Sequence, residues 1–278
     1  MKSEQIQKSL ITTYRRRIWA KFISAVKEFE LVKDGDKIAV CVSGGKDSFL
    51  LAECFRELKK HGNQNFEVKY LVMDPGYNKQ NLKKIKDNLK LLDINAKIFK
   101  SDIFDIVFNM GGSPCYMCAR MRRGHLYKFA QELGCNKIAL GHHFEDVIET
   151  TLLSIFYNAK IQTMMPKLKA KNFENMQLIR PLYKVEEPDI IAFWKANEVE
   201  FINCACHFEC DSNIKVEKKW TDQDIGKRKE MKLLLQELKK KNPLIPISIY
   251  KSTQNVYLDA VLGYEKKDGS NVSFLDDY

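Results

Sequence analysis

The sequence predicts an α/β fold built on a mostly parallel, doubly wound sheet, with a helix in front of it and an irregular extension behind. Three observations carry that prediction. Short apolar runs alternate with segments in which apolar residues recur every three or four positions, the periods of buried strands and amphipathic helices. The stretches between the runs are long enough to hold a helix, which parallel neighbours require. The first run, residues 38–42, is cut off by Ser43-Gly44-Gly45 and followed at once by a helical pattern, so strand, tight loop and helix come in immediate succession. With 278 residues, 45% hydrophobic and 29% charged, the chain can bury a full core.

The elements follow in order. Residues 5–30 carry Ile6, Leu10, Tyr14, Ile18, Phe22 and Val26 at helical spacing, with Arg15-Arg16-Arg17 on the complementary face, which predicts one amphipathic helix. Asp34-Gly35-Asp36 leads into the first strand. Behind the Gly-Gly loop, Leu50, Leu51, Cys54, Phe55 and Leu58 mark one face of a helix that Gly62 ends. Then come a strand at 68–73, a helix at 79–92, strands at 96–99 and 137–140, and a helix bearing Val147, Ile148, Leu152 and Ile155. Residues 177–182 read as the last sheet strand, Pro188 opens a helix to about Ala196, and Met231, Leu234, Leu235 and Leu238 mark a later one. Residues 242–278, with Pro243, Pro246 and Gly263, read as irregular. The expected organisation is an N-terminal helix (1–32), a catalytic α/β domain (33–210) and an extension (211–278), without repeats or low complexity.

Parallel sheets bind ligands at the carboxyl ends of their strands, where Ser43, Gly44, Gly45, Lys46, Asp47, Ser48, Asp74, Gly141, His142, His143 and Asp146 would all arrive. Two glycines admit backbone conformations closed to other residues, and a helix N-terminus presents unpaired N–H groups. The fitting ligand is a phosphate or pyrophosphate. A Walker A loop is excluded, because Asp47 stands where its metal-binding hydroxyl belongs. Asp47 also reads as a helix N-cap, and His142 and His143 as site-edge residues.

A net charge of +10 favours a polyanionic partner, with Arg15 to Arg17, Arg120 to Arg123 and Lys239 to Lys241 as basic clusters. No window approaches a membrane span and the N-terminus has no signal-peptide pattern, so a cytoplasmic protein with reduced thiols is expected. Of eight cysteines, Cys41, Cys54 and Cys135 sit on apolar faces and read as packing residues. Cys115-Tyr116-Met117-Cys118 follows a Gly-Gly-Ser-Pro loop into a helix, at metal-chelating spacing; Cys204, Cys206, His207 and Cys210 lie far along the chain. Three chemistries fit a meeting of the two groups: a closed zinc site, a [4Fe–4S] cluster on three thiolates with one iron open to sulfide, or a persulfide resolved as a disulfide. Spacing does not rank them.

Ser43-Gly44-Gly45-Lys46-Asp47-Ser48 resembles the PP-loop of the ATP pyrophosphatase superfamily, whose members cleave ATP between the α- and β-phosphates and commonly adenylate a substrate oxygen. Residues 115–124 with Leu126-Tyr127, residues 137–146, Pro166-Lys167-Leu168, Ile179-Arg180-Pro181-Leu182, Gly35-Asp36 and residues 42–48 together resemble the tRNA-cytidine 2-sulfurtransferase family over about residues 15–210. That resemblance implies a PP-loop ATPase fold, a homodimer, ATP with Mg²⁺, an oxygen-sensitive [4Fe–4S] cluster, and thiolation of a cytidine in the tRNA anticodon loop. A cysteine desulfurase or another donor would supply the sulfur. It assigns Ser43, Gly44, Gly45 and Ser48 to the pyrophosphate, Lys46 to developing charge, Asp47 and Asp146 to Mg²⁺ or ATP placement, and Gly141 and His142 to the nucleotide. Cys115, Cys118 and Cys206 would ligate the cluster, with Cys204 as the alternative third ligand ahead of Cys210. The chain departs from the family's second Cys-x-x-Cys pair, since Cys204-Ala205-Cys206 is one residue shorter. Two other functions stay open: thiolation of another tRNA base, of the 2-thiouridine type, or a non-catalytic zinc or redox-sensing RNA-binding protein.

Overall fold

Residues 38–40 are apolar without alternation and wholly buried, the pattern of a strand covered on both faces. They form β1 (Lys37–Cys41) at the centre of the sheet. The computed structural model describes residues 2–62, 64–101, 103, 114–202, 223–266 and 268–277, side chains of 114–119, 223–225, 259, 276 and 277 excepted. Beside β1 lie β2 (Glu67–Asp74), β3 (Ala96–Lys100), β4 (Lys137–Ala139), β5 (Lys167–Lys169) and β6 (Gln177–Ile179), in the order β3-β2-β1-β4-β6-β5. All neighbours are parallel except β5 and β6. The expected mostly parallel sheet is therefore present. The antiparallel edge strand β5 was not anticipated, because its three residues are exposed and two of them are lysines.

The flanking helices are α1 (Lys2–Ile11), α2 (Ala20–Glu28), α3 (Lys46–His61), α4 (Lys79–Leu91), α5 (Pro114–Glu132), α6 (Phe144–Asn158), α7 (Glu187–Ala196), α8 (Gln223–Lys241) and α9 (Ile245–Ser252). One core packs α1, α2 and α3 on the sheet around Phe22, Phe49 and Phe55. A second joins Val147, Ile148 and Leu152 of α6 to Met231 and Leu235 of α8 and Tyr250 of α9.

Three local expectations are corrected. The single helix over 5–30 is broken by a turn at 12–14 and a π-helical turn at Arg15–Trp19. Tertiary contacts override the helical period there: the Tyr14 hydroxyl donates to the Ala192 carbonyl (2.9 Å) and Arg17 pairs with Asp189 (2.6 Å). The strand expected over 177–182 stops at Ile179, because Arg180 and Tyr183 close a turn. The C-terminal stretch is also more regular than expected, with α9 and a hairpin of β7 (Gly263–Glu265) and β8 (Asn271–Ser273). Pro246 stands in the first turn of α9, where a missing N–H costs nothing, and Tyr250 docks on Phe144 and Tyr183.

Candidate active site

The chain crosses from β1 to β2 on one side and from β4 to β5, beyond β6, on the other, so the loops after these two neighbours diverge and open a crevice at the carboxyl edge. A cavity of 610 Å³ lies there. Ser43, Gly45, Asp47 and Ser48 line it from the loop after β1, and Gly141, His142 and Asp146 from the loop after β4.

The first loop is held in shape by its own groups. The Ser43 N–H donates to Ser48 Oγ (3.1 Å), and that hydroxyl donates to the Gly45 carbonyl (2.8 Å). From α4's side, the Tyr77 hydroxyl donates to the Ser43 carbonyl (3.1 Å). Gly44 has φ +94°, a conformation that calls for glycine; a Cβ there would also fall 2.6 Å from Ile202 Cδ1, the end of a side chain that would have to shift. Gly45, not Asp47, is the N-cap of α3, and no side chain caps the helix. The first-turn N–H groups of α3 are thus left for a ligand at the cavity floor. Gly141 presses on this helix start: a Cβ would meet Asp47 O at 3.0 Å and Ser48 N at 3.1 Å.

The charged residues are paired in a chain across the site. Lys46 does not line the cavity; its ammonium lies between Asp47 (3.1 Å) and Glu187 of α7 (3.0 Å). Burial alone would lower its pKa, but those two carboxylates outweigh burial and hold it above the ordinary lysine value. Burial raises the Asp47 carboxyl, an effect Lys46 offsets only in part. The two oxygens of Asp146 are both engaged, Oδ2 accepting the His143 N–H (2.9 Å) and Oδ1 meeting Arg228 of α8 (2.6 Å). Against burial, His143 and Arg228 keep Asp146 below the usual carboxylate range. The adjacent histidines part company. Burial, with Arg180 and Arg228 nearby, drives His142 down to about 4, whereas Glu145, Asp146 and Asp47 overcome burial and carry His143 up to about 9. At neutral pH His142 is neutral and His143 a cation.

Facing these groups are four arginines: Arg122 and Arg123 of α5, Arg180 just after β6, and Arg228. Arg122 also donates to the Tyr77 hydroxyl (3.3 Å). A cavity with so many guanidiniums, two carboxylates and a free helix N-terminus suits a polyanion. Glu187 and Arg228 were not foreseen: Glu187 reads as a helix-start acid, and Arg228 sits in a segment without a motif. Arg180 carried a signal in the Ile179-Arg180-Pro181-Leu182 motif, which gave it no role of its own.

Cys41, Cys54 and Cys135 are buried free thiols, and burial pushes Cys41 up to about 12 and raises the other two, as packing residues require. Cys115 and Cys118 stand at the start of α5, and their side chains lie outside the described residues, as do Cys204, Cys206 and Cys210 entirely. Among the described residues there is no group of three or more His, Cys, Asp or Glu able to hold a metal, and no helix long and apolar enough to cross a membrane.

Residues 15–208 match the family model of the PP-loop domain. The tRNA-cytidine(32) 2-sulfurtransferase of Geobacter sulfurreducens is 37% identical over 235 residues, covering 84% of this chain and 86% of that one. Its namesake in Coxiella burnetii is 33% identical over 271 residues, 95% and 96% of the two chains. Among solved structures, the U34-tRNA thiolase NcsA from Methanococcus maripaludis, with its [4Fe-4S] cluster, superposes with a TM-score of 0.65 at 21% identity, over 89% of this chain and 80% of that one. That likeness is one of fold.

Proposed function

The chain belongs to the tRNA-cytidine 2-sulfurtransferase family of PP-loop proteins, and from that premise we propose that it activates the C2 oxygen of an anticodon-loop cytidine with ATP and exchanges that oxygen for sulfur. The observation that supports this most is the arginine-lined cavity over the uncapped start of α3, at the crevice between β1 and β4. In the first step the C2 oxygen attacks the α-phosphorus, the bond to the β-phosphate oxygen breaks, and pyrophosphate leaves. In the second, sulfur at the sulfide level attacks C2, the C2–O bond breaks, and AMP departs with the original oxygen.

The first-turn N–H groups of α3 and those of Gly44 and Gly45 would take the pyrophosphate end, as pre-aimed dipoles that need no reorganisation, with the Ser43 and Ser48 hydroxyls beside them. Lys46 would leave its bridge between Asp47 and Glu187 to neutralise charge on the departing group. Arg122, Arg123 and Arg180 hold the field of the cavity positive at any working pH. His143, a cation held by Glu145 and Asp146, fixes the start of α6, and Gly141 and neutral His142 border the nucleotide.

The carboxylates of Asp47, whose Oδ1 lies 3.1 Å from Lys46 Nζ, and of Asp146 are hard oxygen donors at the cavity, so these two would hold Mg²⁺, whose charge shields the phosphates. Thiolates of Cys115, Cys118 and Cys206, with Cys204 as the alternative, have the donor chemistry for a [4Fe–4S] cluster, which would present the sulfur. A sulfur donor such as a cysteine desulfurase and a second copy of the chain complete the proposed assembly.

The test is nucleoside mass spectrometry on tRNA from a strain lacking the protein. Loss of 2-thiocytidine, restored by the wild-type chain and reduced at least about a hundredfold with Lys46→Ala, is expected. Retention of 2-thiocytidine with loss of a thiouridine would move the assignment to the other base. Anaerobic purification adds an independent check: a brown protein is expected, and a colourless zinc-loaded one favours the sensor function.

A further inference from the structure

Arg228 lies on α8, outside the span that matches the PP-loop domain, yet its side chain forms part of the cavity wall. Its position follows from how α8 docks. Met231 and Leu235 are the buried residues of α8, packed on Val147, Ile148 and Leu152 of α6. Arg228 precedes them by three and seven positions, so it projects from the same face of the helix, one turn nearer the start of α6. There its guanidinium spans Asp146 Oδ1 (Nη2, 2.6 Å) and Glu149 Oε2 (Nε, 3.3 Å), two acids a turn apart. Those contacts use two of the five N–H donors of a guanidinium, and the side chain remains 48% exposed. Asp146 faces the cavity; Glu149 is not among its lining residues.

We propose that Arg228 is a nucleotide-binding residue that the C-terminal extension contributes to the PP-loop site: it rests on Asp146 and Glu149, and turns a guanidinium onto the polyphosphate when ATP enters. The inference rests on the ATP reading of the cavity. Three features support it. The residue already lines the cavity, at the acid proposed to place Mg·ATP. Its outer anchor, Glu149, keeps the side chain extended toward the site without occupying it. The arm that carries it is held in place, because α8 is docked through a hydrophobic cluster rather than through Arg228 alone, and Lys232, one turn further along the helix, pairs with Glu187 (2.7 Å), the same carboxylate that holds Lys46. One helix beyond the matched span thereby touches both Asp146 and Glu187, the carboxylate partner of Lys46. Guanidinium is the group for this task, since its planar fork matches phosphate oxygens and it stays charged throughout the working pH range.

The experiment is calorimetric titration of the full-length protein with ATP, inorganic pyrophosphate and adenosine, using wild type, Arg228→Ala, Arg228→Lys and Lys229→Ala, the last at an exposed neighbour on α8 that does not line the cavity. Arg228→Ala is expected to weaken ATP and pyrophosphate about tenfold to a hundredfold, the range for one hydrogen bond to a charged group, and to leave adenosine unchanged. Arg228→Lys should fall between, and Lys229→Ala should bind ATP as the wild type does. Wild-type ATP affinity in Arg228→Ala overturns the proposal. So does an equal loss in Lys229→Ala, which would make the effect one of overall charge on α8. Wild-type protein that bound neither ATP nor pyrophosphate would instead bring down the ATP reading itself, and this assignment with it.

Discussion

Gly141 shows how tightly the two loops of the site are assembled. Its backbone rests on the first turn of α3, and a methyl group there would sit 3.0 Å from backbone atoms of Asp47, which have no flexible end to move aside. Gly141→Ala should therefore part the loops after β1 and β4, costing roughly 1–3 kcal/mol in stability and lowering ATP affinity more than Gly124→Ala, made at a helical glycine of α5 with nothing within 4 Å. Urea denaturation and ATP titration of the two variants would check this; equal effects would count against it. At this scale the sequence was informative wherever a residue type has a single physical use. Gly44 had to be glycine for a left-handed turn, and that could be read from the strand-to-helix context. The opposite charge states of His142 and His143 could not, because they depend on which carboxylates the fold brings to each ring.

Among the elements, β1 and β4 are joined at their amino ends by a buried ion pair. Lys137 Nζ meets Asp36 at 2.5 Å and also donates to the Leu31 carbonyl (3.0 Å), while the Asp36 carboxylate takes N–H groups from Lys33 and Asn136. Every polar atom in the pair is used, so removing one partner strands a buried charge. Lys137→Met should cost about 3–5 kcal/mol by urea denaturation, and Asp36→Asn combined with Lys137→Met should cost less than the sum of the singles. The strands and helices of the sheet were legible because burial on both faces leaves an uninterrupted apolar run, as in residues 38–40, and because apolar residues recur at helical spacing along α3, α4 and α6, although α3 is buried nearly all round over residues 48–55. Elements held by tertiary contacts were not. β5 is three exposed residues paired to β6, and the π-helical turn at Arg15–Trp19 exists because Tyr14 and Arg17 bind α7.

For the whole molecule, charge is the property with the widest reach. A chain at +10 whose central cavity carries four arginines should bind tRNA largely through phosphates. Its affinity for tRNA is then expected to fall on the order of a hundredfold or more between about 50 and 200 mM salt, measured by filter binding; a flat profile would argue against an RNA substrate.

The parallel sheet, the carboxyl edge as the place of binding, the PP-loop with its family, and the reading of Cys41, Cys54 and Cys135 as packing residues all follow from the order of residues along the chain. They rest on local periodicity, glycine chemistry and contiguous motifs, which need no knowledge of distant contacts. The pairing of Lys46 with Glu187, the ring of arginines from α5, β6 and α8, and the arrival of Arg228 at Asp146 belong to the folded molecule alone. Each joins residues dozens to more than a hundred positions apart, and their meeting is set by how α7 and α8 pack, a property that no local pattern encodes.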